Sequence, residues 1–255
     1  MRVKRLITTA LALGACAFAS PIGTLGIGSS GVVNATLTSI LFTFDPSAAG
    51  VCPGGACNGE VNTGTTLVFS GGPLTPGDGI LINGGFAFGT PPPAGATTFN
   101  PFLRFANHAN LMFTVLGVDP GSANTNCVGL TNGQSCSINL GGGNVSPVVL
   151  TVNGTNTNVA ISLFGTATDG VGLSSNWTGG FSATIPNTTP LNILQFFCGV
   201  DNSCSPAEIA ASPTLPVTST SGSFFATAVP EPNTTLLLGA GLIVLSLSLR
   251  RLKMI

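Results

Sequence analysis

No stretch between residues 36 and 229 carries apolar residues at helical spacing for long enough to build an extended helix. Short apolar runs alternate instead with connectors rich in Gly, Pro and Asn. TLTSILFTF (36–44), TTLVFS (65–70), ILINGGFAF (80–88), NLMFTVLGV (110–118), PVVLTVNG (147–154), NVAISLFGTA (158–167), GFSATI (180–185) and GSFFATAV (222–229) are rich in β-branched and aromatic residues and read as strands. Between them stand Pro-Gly at 53–54 and 76–77, Asn-Gly at 132–133 and 153–154, and Asp-Gly at 78–79 and 169–170. These dipeptides supply the backbone angles that tight turns need. One short helix is expected over 205–211, with Ser205 as N-cap, Pro206 first and Glu208 third. LNILQFF (191–197) fits either a strand or a helix, and SPTLPVTSTS (212–221) either a linker or the approach to a strand. Many short strands without a fixed repeat predict an all-β, antiparallel β-sandwich, with a jelly roll among its topologies.

Charge is distributed by segment. All eight acidic residues lie between 36 and 232, where Arg104 is the only base, giving that stretch a formal charge near −7. The other six bases sit at the two ends of the chain. A domain of that sign repels phosphate backbones, so no nucleic-acid partner is expected.

The N-terminal bases, Arg2, Lys4 and Arg5, precede an apolar stretch from Leu6 to Phe18, the layout of a secretory signal peptide. Cleavage fits after Ala19 or after Ala35. The second is favoured because residues 20–33 are rich in Gly and Ser and lack strand alternation, and it divides the chain into a signal peptide (1–35), an exported domain (36–228) and a tail (229–255). Leu13-Gly14-Ala15-Cys16 also resembles a lipobox, a third reading. Removal of the signal leaves six cysteines, close in sequence as Cys52 with Cys57, Cys127 with Cys136, and Cys198 with Cys204. Six cysteines allow 15 pairings, and proximity favours these three as disulfides. Zinc is not expected, since His108 is the only histidine and no pair has the two-residue spacing of zinc ligands.

The tail has three parts in fixed order. Val229-Pro230-Glu231-Pro232 comes first, then an uncharged apolar run, then Arg250, Arg251 and Lys253. The prolines hold Glu231 on a stiff, extended strap. As a single transmembrane helix over about 234–249 the run would be about 24 Å long, short against a hydrocarbon core of roughly 30 Å. The terminal bases favour the cytoplasmic side. Glu231 between its prolines, the run 236–249 and Arg250-Arg251 resemble the PEP-CTERM sorting signal of Gram-negative bacteria. The resemblance implies processing by a membrane-embedded exosortase during export, passage through export machinery, and an exopolysaccharide or biofilm setting. It implies nothing about the domain upstream. A run this short, with its bases removable as a unit, fits a transient sorting handle better than a lasting anchor, so the expected destination is the cell envelope or the extracellular space.

Chemistry is sparse in the exported stretch. A hydrolytic triad would have to use His108, which reads as a polar residue in a loop entering a strand. Asp45, Asp78, Asp119 and Asp169 stand in turn dipeptides, Glu60 lies beside the first cysteine loop and Glu208 suits a helix start, so a carboxylate pair for glycoside hydrolysis is not apparent. Trp177, in SSNWTGG, is the one candidate aromatic platform for a ligand, although a packing role is commoner for such a residue. No cofactor or metal motif occurs. The reading is an exported, non-catalytic structural or adhesive protein. A carbohydrate-binding module is the first alternative and a glycan-acting hydrolase the second.

Overall fold

The computed structural model describes residues 20–42, 51–52, 55–82, 85–87, 99–171, 174–200 and 203–228. Its centre is one antiparallel sheet of twelve strands. These are β1 (Gly23–Ala35), β2 (Ser39–Phe42), β3 (Gly59–Val61), β4 (Gly79–Ile82), β5 (Gly85–Ala87), β6 (Phe99–Phe105), β7 (Met112–Val118), β8 (Ser135–Asn139), β9 (Val145–Asn153), β10 (Asn156–Thr168), β11 (Ser174–Ile185) and β12 (Leu215–Ala228). Two helices, α1 (Pro190–Cys198) and α2 (Pro206–Ala210), separate β11 from β12. Both are capped by side chains at their N-termini. Thr189 accepts the Asn192 N–H, and Ser205 and Glu208 form a reciprocal capping box.

The all-β, antiparallel expectation holds, but the two-layer sandwich is not what forms. Eight strands close into a barrel in the order β7-β6-β4-β3-β1-β12-β11-β10, with β10 returning to β7. Closure depends on strand length. β1, β10, β11 and β12 have 13, 13, 12 and 14 residues, long enough for each end to take a different neighbour. The second half of β10 pairs β7 from Leu163↔Val118 to Thr168↔Met112, while its first half pairs β9 from Asn156↔Asn153 to Ala160↔Val149. Likewise β1 pairs β3 at Ile27 and Gly28 and pairs β2 at 33–35. The long strands therefore share one closed end and diverge at the other. Eight strands leave an interior that side chains can just fill, and closure removes sheet edges that would otherwise invite aggregation.

Alternation fills that interior. Ile161, Leu163 and Ala167 of β10 point inward, as do Trp177 and Phe181 of β11 and Phe224 and Ala226 of β12. Trp177 lies 5.3 Å from Phe224, 5.9 Å from Phe113 and 6.4 Å from Phe102 between ring centroids. These offset and edge-on contacts are the favoured aromatic geometries. A second core lies at the diverging end. There α1 contributes Ile193, Leu194 and Phe197 against Ile138, Leu140 and Leu150 of the β8–β9 side, and Leu37 joins from beyond β1. Val148 touches both cores.

Residues 20–33 are the largest departure from the sequence reading. From Gly23 onward they are part of β1, which pairs β12 at eleven register positions and buries Leu25, Ile27 and Val33. The apolar alternation is present but diluted by glycine. A side chain on Gly28 would displace the Asn62 amide, whose Oδ1 lies 2.7 Å from its Cβ position, and one on Gly23 would meet the Thr66 carbonyl oxygen at 2.5 Å. A cut after Ala35 would remove this strand from the barrel wall. Of the expected strand 36–44, the described residues 36–42 give β2, 65–70 shrinks to Val68–Phe69, and 212–221 resolves into the first half of β12.

Candidate functional site

Two places invite chemical scrutiny: the exit of the tail, and the few ionisable side chains of the barrel. β12 ends at Ala228, and Val229-Pro230-Glu231-Pro232 begins at the next residue. Gly23 of β1 faces Ala226, and Ser175 of β11 faces Ala228. The chain thus enters β1 and leaves β12 at the same, closed end of the barrel. Val229, Pro230, Glu231, Pro232, Arg250 and Arg251, the expected transmembrane helix over 234–249 and the signal residues 1–19 lie outside the described residues. Among the described residues no helix is long and apolar enough to cross a membrane.

Each of the three proposed cysteine pairs is bonded. Cys52–Cys57 closes the short ribbon before β3, with Cα atoms 5.2 Å apart. The neighbouring Asn58 extends that staple, since its amide donates to the Ile82 carbonyl at 2.8 Å and its Oδ1 accepts the Ile82 N–H at 2.6 Å. Cys127–Cys136 ties a loop to β8, so the bridge joins loop to strand and not strand to strand across a hairpin. Cys198–Cys204 links the end of α1 to the cap of α2. The last two bridges lie in the second core, among the side chains of α1 and the β8–β9 side.

Trp177 is 1% exposed. It is a core residue, and the surface-platform reading is corrected. Ser, Asn and Gly flank it because they occupy the outward or close-packed positions of β11, so the local composition imitates a loop. His108 sits with its Nε2 3.7 Å from the Asp78 carboxylate and its ring edge-on to Phe69. Asp78 also accepts the Thr75 N–H at 2.8 Å and the Asn107 side-chain amide at 2.9 Å. Burial raises the Asp78 carboxyl pKa, but these hydrogen bonds and the nearby imidazole outweigh it and hold the group below its ordinary value. Asp169 behaves in the same way. Burial pushes it up, and the N–H groups of Ser70 (3.0 Å) and Val171 (3.1 Å) bring it below the usual range. Glu208 is lowered by the Ser205 N–H of its capping box. Asp119 follows β7 and Glu60 is exposed on β3. Asp45 and Asp201 lie outside the described residues. Asp78 and Asp169 therefore hold separate turns and Glu208 a helix cap, while Glu60 stands apart from them on a strand. Among the described residues no three His, Cys, Asp or Glu side chains are grouped as metal ligands would be.

Asp78 yields a pH prediction. A carboxylate whose folded pKa is lowered adds stability above its unfolded pKa, and that stability is lost as pH falls through the folded value. Asp78→Asn should therefore destabilise the barrel by about 1–3 kcal/mol at pH 7, the usual cost of a buried group losing its partners. The gap to wild type should narrow at pH 3. Urea midpoints of both proteins at the two pH values check this.

No curated protein and no solved structure matches the chain. The tail does find a match, over a stretch that starts at the last residue of β12. Residues 228–251 fit the PEP-CTERM protein-sorting motif, and this chain is one that carries that motif directly behind a closed β-barrel.

Proposed function

We propose that this protein is a non-catalytic barrel delivered to the cell envelope or the extracellular matrix, where it acts as a structural or adhesive component. The matched motif implies export and processing by an exosortase. The observation that carries the rest is the junction at Ala228, where a barrel strand still paired to β11 gives way to the sorting motif with no linker. A tail anchored in a membrane would hold the closed end of the barrel against that membrane, and cleavage there would release the folded domain whole. Three disulfides suit an oxidising compartment. The lowered carboxylates are engaged in turns and a helix cap, which supports a structural part for them over an acid–base one.

Association with exopolysaccharide is the setting that such a tail suggests. The barrel's outer wall is compatible with it. β1, β10, β11 and β12 contain no charged residue, and they present Ser, Thr and Asn outward. Replacing Glu231 with Ala should leave the barrel intact and stop processing, so that a longer, membrane-fractionating form accumulates. Immunoblots of membrane and extracellular fractions check this. Unchanged size and distribution would sink the sorting claim.

A further inference from the structure

The wall of the barrel has a split in it. β11 and β12 are paired from Ser175↔Ala228 to Ser182↔Ser221. Beyond that point they part: residues 183–185 remain paired to β10, and residues 215–220 remain paired to β1. The fork lies about eight residues from the exit of the tail along β12, about 26 Å at the rise of a strand, and it opens away from the closed end.

Each side of the fork has a recess. The inner one, about 40 Å³, is lined by Val33 and Val217 on one arm and Val148, Val159 and Phe181 on the other. That is room for about three water-sized spheres, and with so apolar a lining the space favours a hydrocarbon over water. The outer recess, about 370 Å³, is lined by Asn158, Ser182, Thr184 and Ser221. Its polar groups are already arranged. Thr184 Oγ1 donates to Asn158 Oδ1 at 2.8 Å, and the Ser182 and Ser221 hydroxyls lie 3.3 Å apart. Ser182, Ala183 and Thr220 line both recesses and form the throat between them. Thr220 is 8% exposed, and its Oγ1 is buried without a hydrogen-bond partner. A buried hydroxyl left unpaired costs stability, and its place at the junction of an apolar and a polar recess gives it a use.

We propose that this fork binds a neutral amphiphile, with a hydroxyl-bearing head in the outer recess, a short aliphatic tail in the inner one, and Thr220 bonding the head at the throat. The head is uncharged because no charged residue lines either recess. A size in the range of small-molecule sites suits one sugar-sized head. The tail enters only by its first few carbons.

The test is a titration of the exported, disulfide-bonded protein with n-hexyl-β-D-glucoside below its micelle concentration, read by amide chemical shifts. Saturable shifts should be confined to the segments that line the two recesses, 33–35, 148, 158–161, 181–184 and 217–221. Glucose alone and hexanoate should each bind at least about ten-fold more weakly, since the first lacks the tail and the second carries a charge into a recess with no counter-charge. Thr220→Val, which keeps the shape, should weaken binding about three- to ten-fold without lowering the thermal midpoint. Ala183→Leu, which fills the throat, should abolish binding. Shifts scattered over the barrel, or equal affinity for hexyl glucoside in the Ala183→Leu and wild-type proteins, would overturn the proposal. Should Ala183→Leu fail to fold, an unchanged affinity in Thr220→Val would overturn it instead.

Discussion

A chain that begins at Thr36 will not form the barrel. It lacks β1, which stands between β12 and β3 and is paired to β12 at eleven register positions. Leu25 and Ile27 are fully buried, and Val33 nearly so. Losing each large aliphatic side chain costs about 2–5 kcal/mol, and a domain has only about 5–15 kcal/mol in total. The loss of three such residues and a whole hydrogen-bonded ladder exceeds that margin. A 36–228 fragment should show no cooperative urea transition and no near-ultraviolet circular dichroism, whereas a 20–228 fragment should show both. A cooperative transition in the shorter fragment would mean that β1 is an accessory and not a wall of the barrel. The expected result also bears on export. Of the cleavage points after Ala19 and after Ala35, the first leaves β1 in place and the second does not, and we propose the first as the site used.

The second large effect is expected at Gly165. It faces the interior from β10, opposite Val115 on the strand that closes the barrel and beside Trp177 on the other neighbour. A Cβ there would fall on the Thr114 carbonyl oxygen and within 2.8 Å of the Trp177 ring. The backbone oxygen belongs to the β7–β10 ladder, so it cannot move without opening the seam. Gly165→Val should therefore cost about 3 kcal/mol or more, at the upper end of overpacking effects. Trp177 is the only tryptophan, which makes the readout direct. Its emission should shift to longer wavelength, and the urea midpoint should fall with the same probe. A variant with wild-type midpoint and emission would show that the seam tolerates a wider β10 than its register implies.

What the sequence discloses, and what it hides, divides along physical lines. β10, whose outward positions include Asn158, Ser162, Thr166 and Thr168, can be read largely from alternation. So can the capped start of α2, because a Ser-Pro-x-Glu pattern acts locally. The apolar run of α1 fits either element by itself, and the signal that decides it is Thr189-Pro190 just before it, a helix start. β1 is hidden by glycines that lie against the segment 62–66, which follows β3. Closure is hidden for a deeper reason. That β10 serves β9 with one half and β7 with the other is a matter of long-range register, which leaves no local mark. Trp177 is easily misplaced because small residues around an aromatic can signify a loop or a tightly packed strand, and only the neighbours decide. The throat residue Thr220 lies in a Thr/Ser-rich stretch that reads as linker, and nothing nearby sets it apart. The tail is the most legible part, since its function rests on order and composition over a few turns of chain.

We propose that the barrel is exported intact, with β1 entering and the sorting tail leaving at its closed end. Intact-mass analysis of the exported protein tests it most directly. The expected product begins at Ser20, has all six of its cysteines oxidised and has lost the apolar, basic end of its tail. A product that begins at Thr36 and still ends at Ile255 would contradict it.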